Sequence, residues 1–299
     1  MKKTTILTTL FFLGTFVATV SATDIKAVRN GSKINVTIDD RFFTSYHFSI
    51  EEKFPFFFPV NGPTTGGSVT SMRNGEYPHH SSLYFGCDLV NGGNYWAGDL
   101  ESGQILSKEV KIIEQGARVV ITDDCIWQRP GAESPLKDTR RIMITAPSKD
   151  LWQIDFDITL EMLTDVVVLK TNHSLFAARV AADICVSNGG VMVNAEGNKG
   201  EATTDGTPSA WMDYYGKRGN AIEGIAIFQH PANPGFPVAW ETRDYGFFSP
   251  TPLDYLPDGI KSLSFRKGEK IKLRYRVLIH AGDHKTADIA GQFEQYKSN

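Results

Sequence analysis

The stretch Trp152-Gln153-Ile154-Asp155-Phe156-Asp157-Ile158-Thr159-Leu160-Glu161 alternates apolar and polar side chains without a break. In an extended chain successive side chains face opposite sides, so this segment presents one apolar face and one acidic face. That is the pattern of a strand buried on one side only. The same period recurs outward from it. Ile34, Val36 and Ile38 alternate ahead of an Asp39-Asp40 turn, and Phe42, Thr44, Tyr46 and Phe48 continue beyond it. Near the end, Leu263 and Phe265 lead through Lys267-Gly268-Glu269 into Ile271, Leu273, Tyr275, Val277 and Ile279, a spacing that predicts a hairpin. Only the tail reads as helical: Asp283 is placed to cap a helix in which Ile289, Phe293 and Tyr296 share one side. Many strands and one terminal helix predict an all-β fold, a large antiparallel β-sandwich with a short C-terminal helix. With no interior linker and no repeat, residues 23–299 read as a single β-sandwich domain. Two irregular stretches, Pro55 to Ser81 and Met192 to Gly219, are expected to be long loops that wall a site.

Residues 1–22 read as a signal peptide. Lys2 and Lys3 precede the apolar run Ile6 to Val20, and Val20-Ser21-Ala22 supplies small residues for cleavage after Ala22. A periplasmic or secreted product is expected, with no membrane association after cleavage. Lys2 and Lys3 are the only charges in that leader, so the remainder carries 29 basic and 34 acidic residues, a formal charge of −5. That balance argues against a nucleic-acid partner, and an apolar content of 41 % suffices for a sizeable core. Cys87, Cys125 and Cys185 have no CxxC spacing and allow at most one internal disulfide. The oligomeric state is not legible.

Three turn-bounded blocks carry the candidate chemistry: Tyr77-Pro78-His79-His80, Phe228-Gln229-His230-Pro231-Ala232-Asn233-Pro234 and Trp240-Glu241-Thr242-Arg243-Asp244-Tyr245-Gly246. In an extended strand His79 and His80 would point opposite ways, so one of the pair is expected in a cleft. His230 ends an apolar run before two prolines, which places it at a sheet rim. A neutral imidazole there can move a proton near neutral pH. The spacing predicts His79 or His80 with His230 as proton-exchanging residues, and Asp213 or Asp244 as carboxylates that fix their tautomers. Trp96, Trp211, Tyr214, Asn233, Trp240, Arg243, Tyr245 and His280 are the expected ligand contacts. His284 reads as solvated. No HxH or HExxH spacing is present, and neither a metal nor another cofactor is expected. These residues together predict acid-base chemistry on a saccharide, as a hydrolase, lyase or epimerase. A non-catalytic carbohydrate-binding protein is the alternative.

Several blocks in order resemble the bacterial family catalogued as methane oxygenase PmoA: Phe56-Phe57-Phe58-Pro59, Tyr77 to Gly86, Asn91-Gly92 to Trp96, Leu175 to Ala181, Trp211-Met212-Asp213-Tyr214, His230-Pro231 and Arg243 to Gly246. The label implies a further alternative, a metal-dependent oxidoreductase. It is a poor guide to activity, because a true particulate methane oxygenase subunit spans the membrane many times and this chain has no such spans. Ser81-Ser82 also depart from the residues usual after the paired histidines. A fainter resemblance, through Thr171-Asn172-His173-Ser174-Leu175-Phe176, is to the aldose epimerases and galactose mutarotase-like proteins. It implies a β-supersandwich and a His173 that helps protonate a ring oxygen. No Glu motif matching that family stands near the C-terminus, so His173 ranks below the other histidines.

Overall fold

The computed structural model describes residues 23–298, and the leader expected over residues 1–22 lies outside the described residues. Two eight-stranded sheets face each other, with every strand pair antiparallel. The first sheet runs in the order β1 (Ile25–Asn30), β2 (Lys33–Ile38), β3 (Arg41–His47), β4 (Phe56–Val60), β5 (Leu83–Cys87), β11 (Ser174–Arg179), β16 (Phe247–Pro250), β15 (Trp240–Arg243). The second runs β12 (Val191–Asn194), β13 (Trp211–Arg218), β14 (Ala221–Gln229), β18 (Lys270–Ala281), β9 (Leu151–Met162), β8 (Leu136–Ser148), β7 (Val119–Gln128), β6 (Gln104–Glu114). A two-stranded ribbon pairs β10 (Val166–Leu169) with β17 (Ser262–Phe265), and two helices, α1 (Glu201–Thr204) and α2 (Ile289–Lys297), complete the chain. The all-β antiparallel sandwich with a short C-terminal helix is the architecture that the alternation predicts.

The opening stretch lies on β9, and its apolar face is the core. Trp152, Ile154, Phe156, Ile158 and Leu160 are all buried. Phe156 meets Phe57 and Phe176 of the opposite sheet at ring-centroid distances of 5.8 and 4.9 Å, and Phe176 stacks on Tyr275 at 4.7 Å. Each such ring stabilises the fold by roughly 1.5–3 kcal/mol through burial. The acidic face is paired rather than merely solvated. Asp155 and Asp157 stand opposite Arg276 and Arg274 of β18, at 2.7 and 3.0 Å. Helix α2 then covers part of this outer face, with Phe293 and Tyr296 against Phe228.

Several local expectations are corrected. The hairpin predicted over 263–279 does not form, because β18 has both edges taken by β9 and β14 and β17 pairs with β10 instead. Beyond the Asp39-Asp40 turn a bulge between Val36 and Thr37 shifts the phase, so Phe43 is buried and Phe42 is exposed. Met192 to Gly219 is not one loop but contains most of β12, all of α1 and β13. Asp288, not Asp283, caps α2, with Gly291 N–H donating to its carboxylate at 3.3 Å. Cys87, Cys125 and Cys185 are all free and buried.

Candidate functional site

Strand β5 is buried on both sides. Phe85 points into the sandwich toward Trp127, and its neighbour Tyr84 therefore points outward, packed on Phe54 and Trp96 at 4.8 Å each. Ala177 stands opposite Tyr84, and Arg179 follows two residues later on the same face. Arg179 stands opposite Phe247, Phe247 opposite Arg243, and Glu241 opposite Ser249. Antiparallel register thus sets Tyr84, Arg179, Phe247, Glu241 and Arg243 together on the outer face of the first sheet.

Loops wall this face. Residues 77–80 form a turn, with His80 N–H donating to Tyr77 O at 3.1 Å. A turn, unlike a strand, lets neighbouring side chains converge, so both histidines enter the cluster, with ring centroids 4.4 Å apart. His80, only 3 % exposed, is stacked between Tyr77 and Phe247 at 5.0 and 4.6 Å. Burial, reinforced by His79 and Arg179, pushes its pKa down to about 3, so the imidazole is neutral. The pKa of the half-buried His79 is also lowered, by burial and by His173. His173 sits beside Asp88, with Nδ1 2.9 Å from Oδ2, and lies flat against Trp96 at 5.5 Å. A carboxylate on Nδ1 fixes the ring and leaves Nε2 to exchange a proton.

Glu241 supplies a carboxyl to the cluster. It is 5 % exposed, and its Oε1 accepts from Asn172 Nδ2 at 3.1 Å and pairs with Arg243 Nη2 at 3.0 Å. Burial pushes its pKa up to about 7 against the opposing pull of Arg243, Asn172 and His173. Among the described residues thirteen buried side-chain polar atoms have no hydrogen-bond partner, and seven belong to this cluster: His80 Nδ1, Tyr84 Oη, Asp88 Oδ1, Trp96 Nε1, Arg179 Nε and Nη1, and Glu241 Oε2. Unpaired buried polar atoms are costly and rare in folded proteins. Seven of the thirteen thus lie on this one face. Partly exposed Tyr77, His79, Asn172, His173 and Tyr245 form its mouth, beside a cleft of about 190 Å³ bounded by Lys53, Arg73, His79 and Trp96.

Of the residues expected from sequence, His79, His80, Trp96, Arg243 and Tyr245 gather here. Trp96 is fully buried, so it backs His173 and offers no open ring face. The others lie elsewhere. His230 is on the far side of the second sheet, under α2: its Nδ1 accepts from Ala232 N–H at 3.0 Å, its Nε2 is 2.8 Å from Arg274 Nη1, and its ring edge meets Tyr296. Asn233 clamps the backbone of Arg274 through two hydrogen bonds. Trp211 packs in the cluster beneath α2. Tyr214 and Trp240 point into the sandwich, where Tyr214 Oη donates to Arg243 O and Trp240 Nε1 to Ser209 O. Asp244 accepts from Glu201 N–H and donates its own N–H to Glu201 Oε2, which orients no histidine.

Asp213 and His280 do pair, at 2.9 Å and both 0 % exposed, but on the outer face of the second sheet. Strand β14 separates them, and Gly224 permits the contact: a Cβ there would fall 2.6 Å from His280 Nε2. Burial works against the charged imidazole, yet Asp213 outweighs it and holds the His280 pKa raised. The missed residues are Tyr84, Asp88, Asn172, Arg179, Glu241 and Phe247, with His173 underweighted. Glu241 and Arg243 lie two apart in a block already singled out, which is the one local signal for their shared face.

A cavity of about 650 Å³ shares none of these residues and is walled mainly by aliphatic residues such as Val90, Leu160, Leu253 and Leu273. Among the described residues no group of three or more His, Cys, Asp or Glu side chains is placed to hold a metal ion.

The chain belongs to a family of unknown function, DUF6807, whose model matches residues 33–294. That match contains every block that resembles the methane oxygenase PmoA family, which itself gave no match. No curated protein matches the chain. Among solved structures it is similar to a putative aldose 1-epimerase from Escherichia coli K12, at 10 % identity and a TM-score of 0.30, covering 87 % of this chain and 99 % of that one. It is also similar to a polysaccharide lyase, at 13 % identity and a TM-score of 0.30, covering 89 % of this chain and 34 % of the lyase. A galactose mutarotase related enzyme from Lactobacillus acidophilus matches at 10 % identity and a TM-score of 0.26, covering 86 % and 97 %. The chain thus spans about a third of the lyase and nearly all of the other two.

Proposed function

We propose that this member of a family of unknown function performs acid-base chemistry on a saccharide at the outer face of the first sheet. The observation that carries the reading is a buried carboxyl of raised pKa and a carboxylate-oriented imidazole beside a floor of unpartnered polar atoms. Glu241 is poised to change charge near neutral pH, and His173, oriented by Asp88, is close enough to act on that carboxyl. A general acid and a general base are most effective when their pKa values lie near the working pH. Glu241 is the base in this reading and His173 the acid, with Asn172 holding the carboxylate and Trp96 holding the imidazole plane. Neutral His80, Tyr84 and the Trp96 indole N–H supply hydrogen bonds of the kind that read hydroxyl groups. His79, Tyr77 and Tyr245 form the entry. His230, Asp213 and His280 have no part in it. The basic and apolar leader in residues 1–22 supports placing this chemistry in the periplasm or outside the cell.

Incubation with an oligosaccharide panel, followed by proton NMR of the anomeric and ring signals, tests the reading. Turnover by the wild type, lost in Glu241→Gln and in His173→Asn while both variants still bind ligand, is the expected result. Binding without turnover in the wild type would move the protein to a non-catalytic carbohydrate-binding role. Turnover retained in both variants would remove these residues from the chemistry.

A further inference from the structure

We infer that the saccharide taken by this site carries a carboxylate, as in a uronic acid unit, and that Arg179 is its receptor. The inference rests on the acid-base reading above and narrows it to a substrate class. Arg179 is 5 % exposed, yet its Nε and Nη1 have no hydrogen-bond partner and it makes no ion pair among the described residues. Every other deeply buried arginine among the described residues is matched to a carboxylate: Arg140 to Asp138 and Arg276 to Asp155. A buried guanidinium cannot shed its proton as a lysine can, and leaving it uncompensated is among the costliest arrangements a fold can hold.

The groups around Arg179 do not offset its charge. Its guanidinium carbon lies 4.5 Å from the Tyr245 ring centroid and 5.3 Å from that of Tyr77. Burial and neighbouring groups hold the pKa of Tyr245 above its ordinary value, and that of Tyr84 well above, so both stay neutral. His80, also beside Arg179, is neutral as well. The carboxylate of Glu241, on the same face, is already engaged by Arg243 and Asn172. The guanidinium thus rests against the stacked pair Tyr77–Tyr245, whose ring centroids are 4.5 Å apart, and its Nε and Nη1 meet no acceptor of the chain. A carboxylate on the substrate would satisfy both the charge and the unpaired donors, and it would sit on the same face as Glu241 and His173.

The test compares uronic-acid oligosaccharides with their carboxyl-reduced neutral counterparts and with sulfated neutral oligosaccharides, by isothermal calorimetry on the full chain. The wild type is expected to bind the uronic-acid ligand at least about thirty-fold more tightly than its reduced form, the low end for one desolvated charge pair. Arg179→Gln is expected to erase that difference, with Arg179→Lys retaining part of it. Because removing a buried charge can alter folding, the wild-type comparison stands by itself and circular dichroism accompanies each variant. Equal binding of acidic and reduced ligands by the wild type overturns the inference, yet leaves the acid-base reading intact if Glu241→Gln still abolishes turnover. Preference for the sulfated ligand overturns the carboxylate assignment. Failure of all three ligands to bind overturns both.

Discussion

Glu241 makes the sharpest prediction, because its environment ties stability to function with opposite signs. An ordinary glutamate ionises near 4.5, and burial moves Glu241 to about 7. The folded state therefore holds a proton that the unfolded chain gives up, so stability is greatest below pH 4.5 and declines as the pH rises toward 7. At about 1.4 kcal/mol per pH unit, the ionised carboxylate costs at most about 3 kcal/mol above pH 7. Glu241→Gln cannot ionise, while its amide oxygen still accepts from Asn172 and Arg243 keeps Asp205 at 2.7 Å. Urea unfolding followed by tryptophan fluorescence should therefore show wild type and variant nearly equal at pH 4.5. By pH 8 the variant should be more stable by roughly 2–3 kcal/mol, with turnover reduced about 10²- to 10⁴-fold. A stability difference that does not change with pH, or a wild type more stable than the variant at pH 8, would refute the reasoning about this carboxyl.

Three further outcomes follow from the geometry. His230→Ala removes the acceptor of Ala232 N–H and the contacts to Arg274 and Tyr296; it should cost about 1–3 kcal/mol in denaturant unfolding and leave kcat and KM unchanged. Gly224→Ala drives a methyl into His280 and, at 2.6 Å, into Tyr214 O; loss of the buried Asp213–His280 pair should lower stability by about 3 kcal/mol or more, visible as a large drop in Tm. Asp88→Asn should shift the pH–rate profile and lower kcat more than it raises KM, because it frees the His173 ring while keeping an oxygen and the size of the side chain; an unchanged profile would show that Asp88 does not orient that imidazole.

The sandwich was legible because its signal is local: Trp152 to Leu160 needs only its own alternation to declare one buried face. Strand partners are a different matter. Lys267-Gly268-Glu269 does make a turn, but which strand lies beside β18 is settled by the long edges of β9 and β14, far away in sequence. The grouping of the candidate residues is illegible for the same reason. His230 does end a strand, yet a sandwich has two sheets and two outer faces, and a strand end names neither. Arg179 joins Glu241 only through the chain of register from β11 to β16 to β15. Reading His79-His80 as extended also cost one histidine, because a Pro-containing turn placed both in the cluster.

The two outer faces of this sandwich carry similar side chains in different pairings, although Asp213 Oδ2 and His280 Nδ1 on the second sheet are also without a partner. On the second sheet the charges meet partners from neighbouring strands: Asp155 with Arg276, Asp157 with Arg274, and Asp213 with His280 across Gly224. Helix α2 seals part of that face, and exposure plays no role at a fully buried His280. Such pairs hold strand register, and their loss is felt as instability. On the first sheet Arg179 lacks an anion, Glu241 keeps one oxygen unpaired, and neutral His80 presents an unused nitrogen. Each of these arrangements opposes folding, and in the function proposed above a ligand offsets them. A ligand that binds there should therefore raise Tm well beyond its effect on any variant in which Arg179 or Glu241 has been neutralised, and equal shifts in all of them would mean that it binds somewhere else.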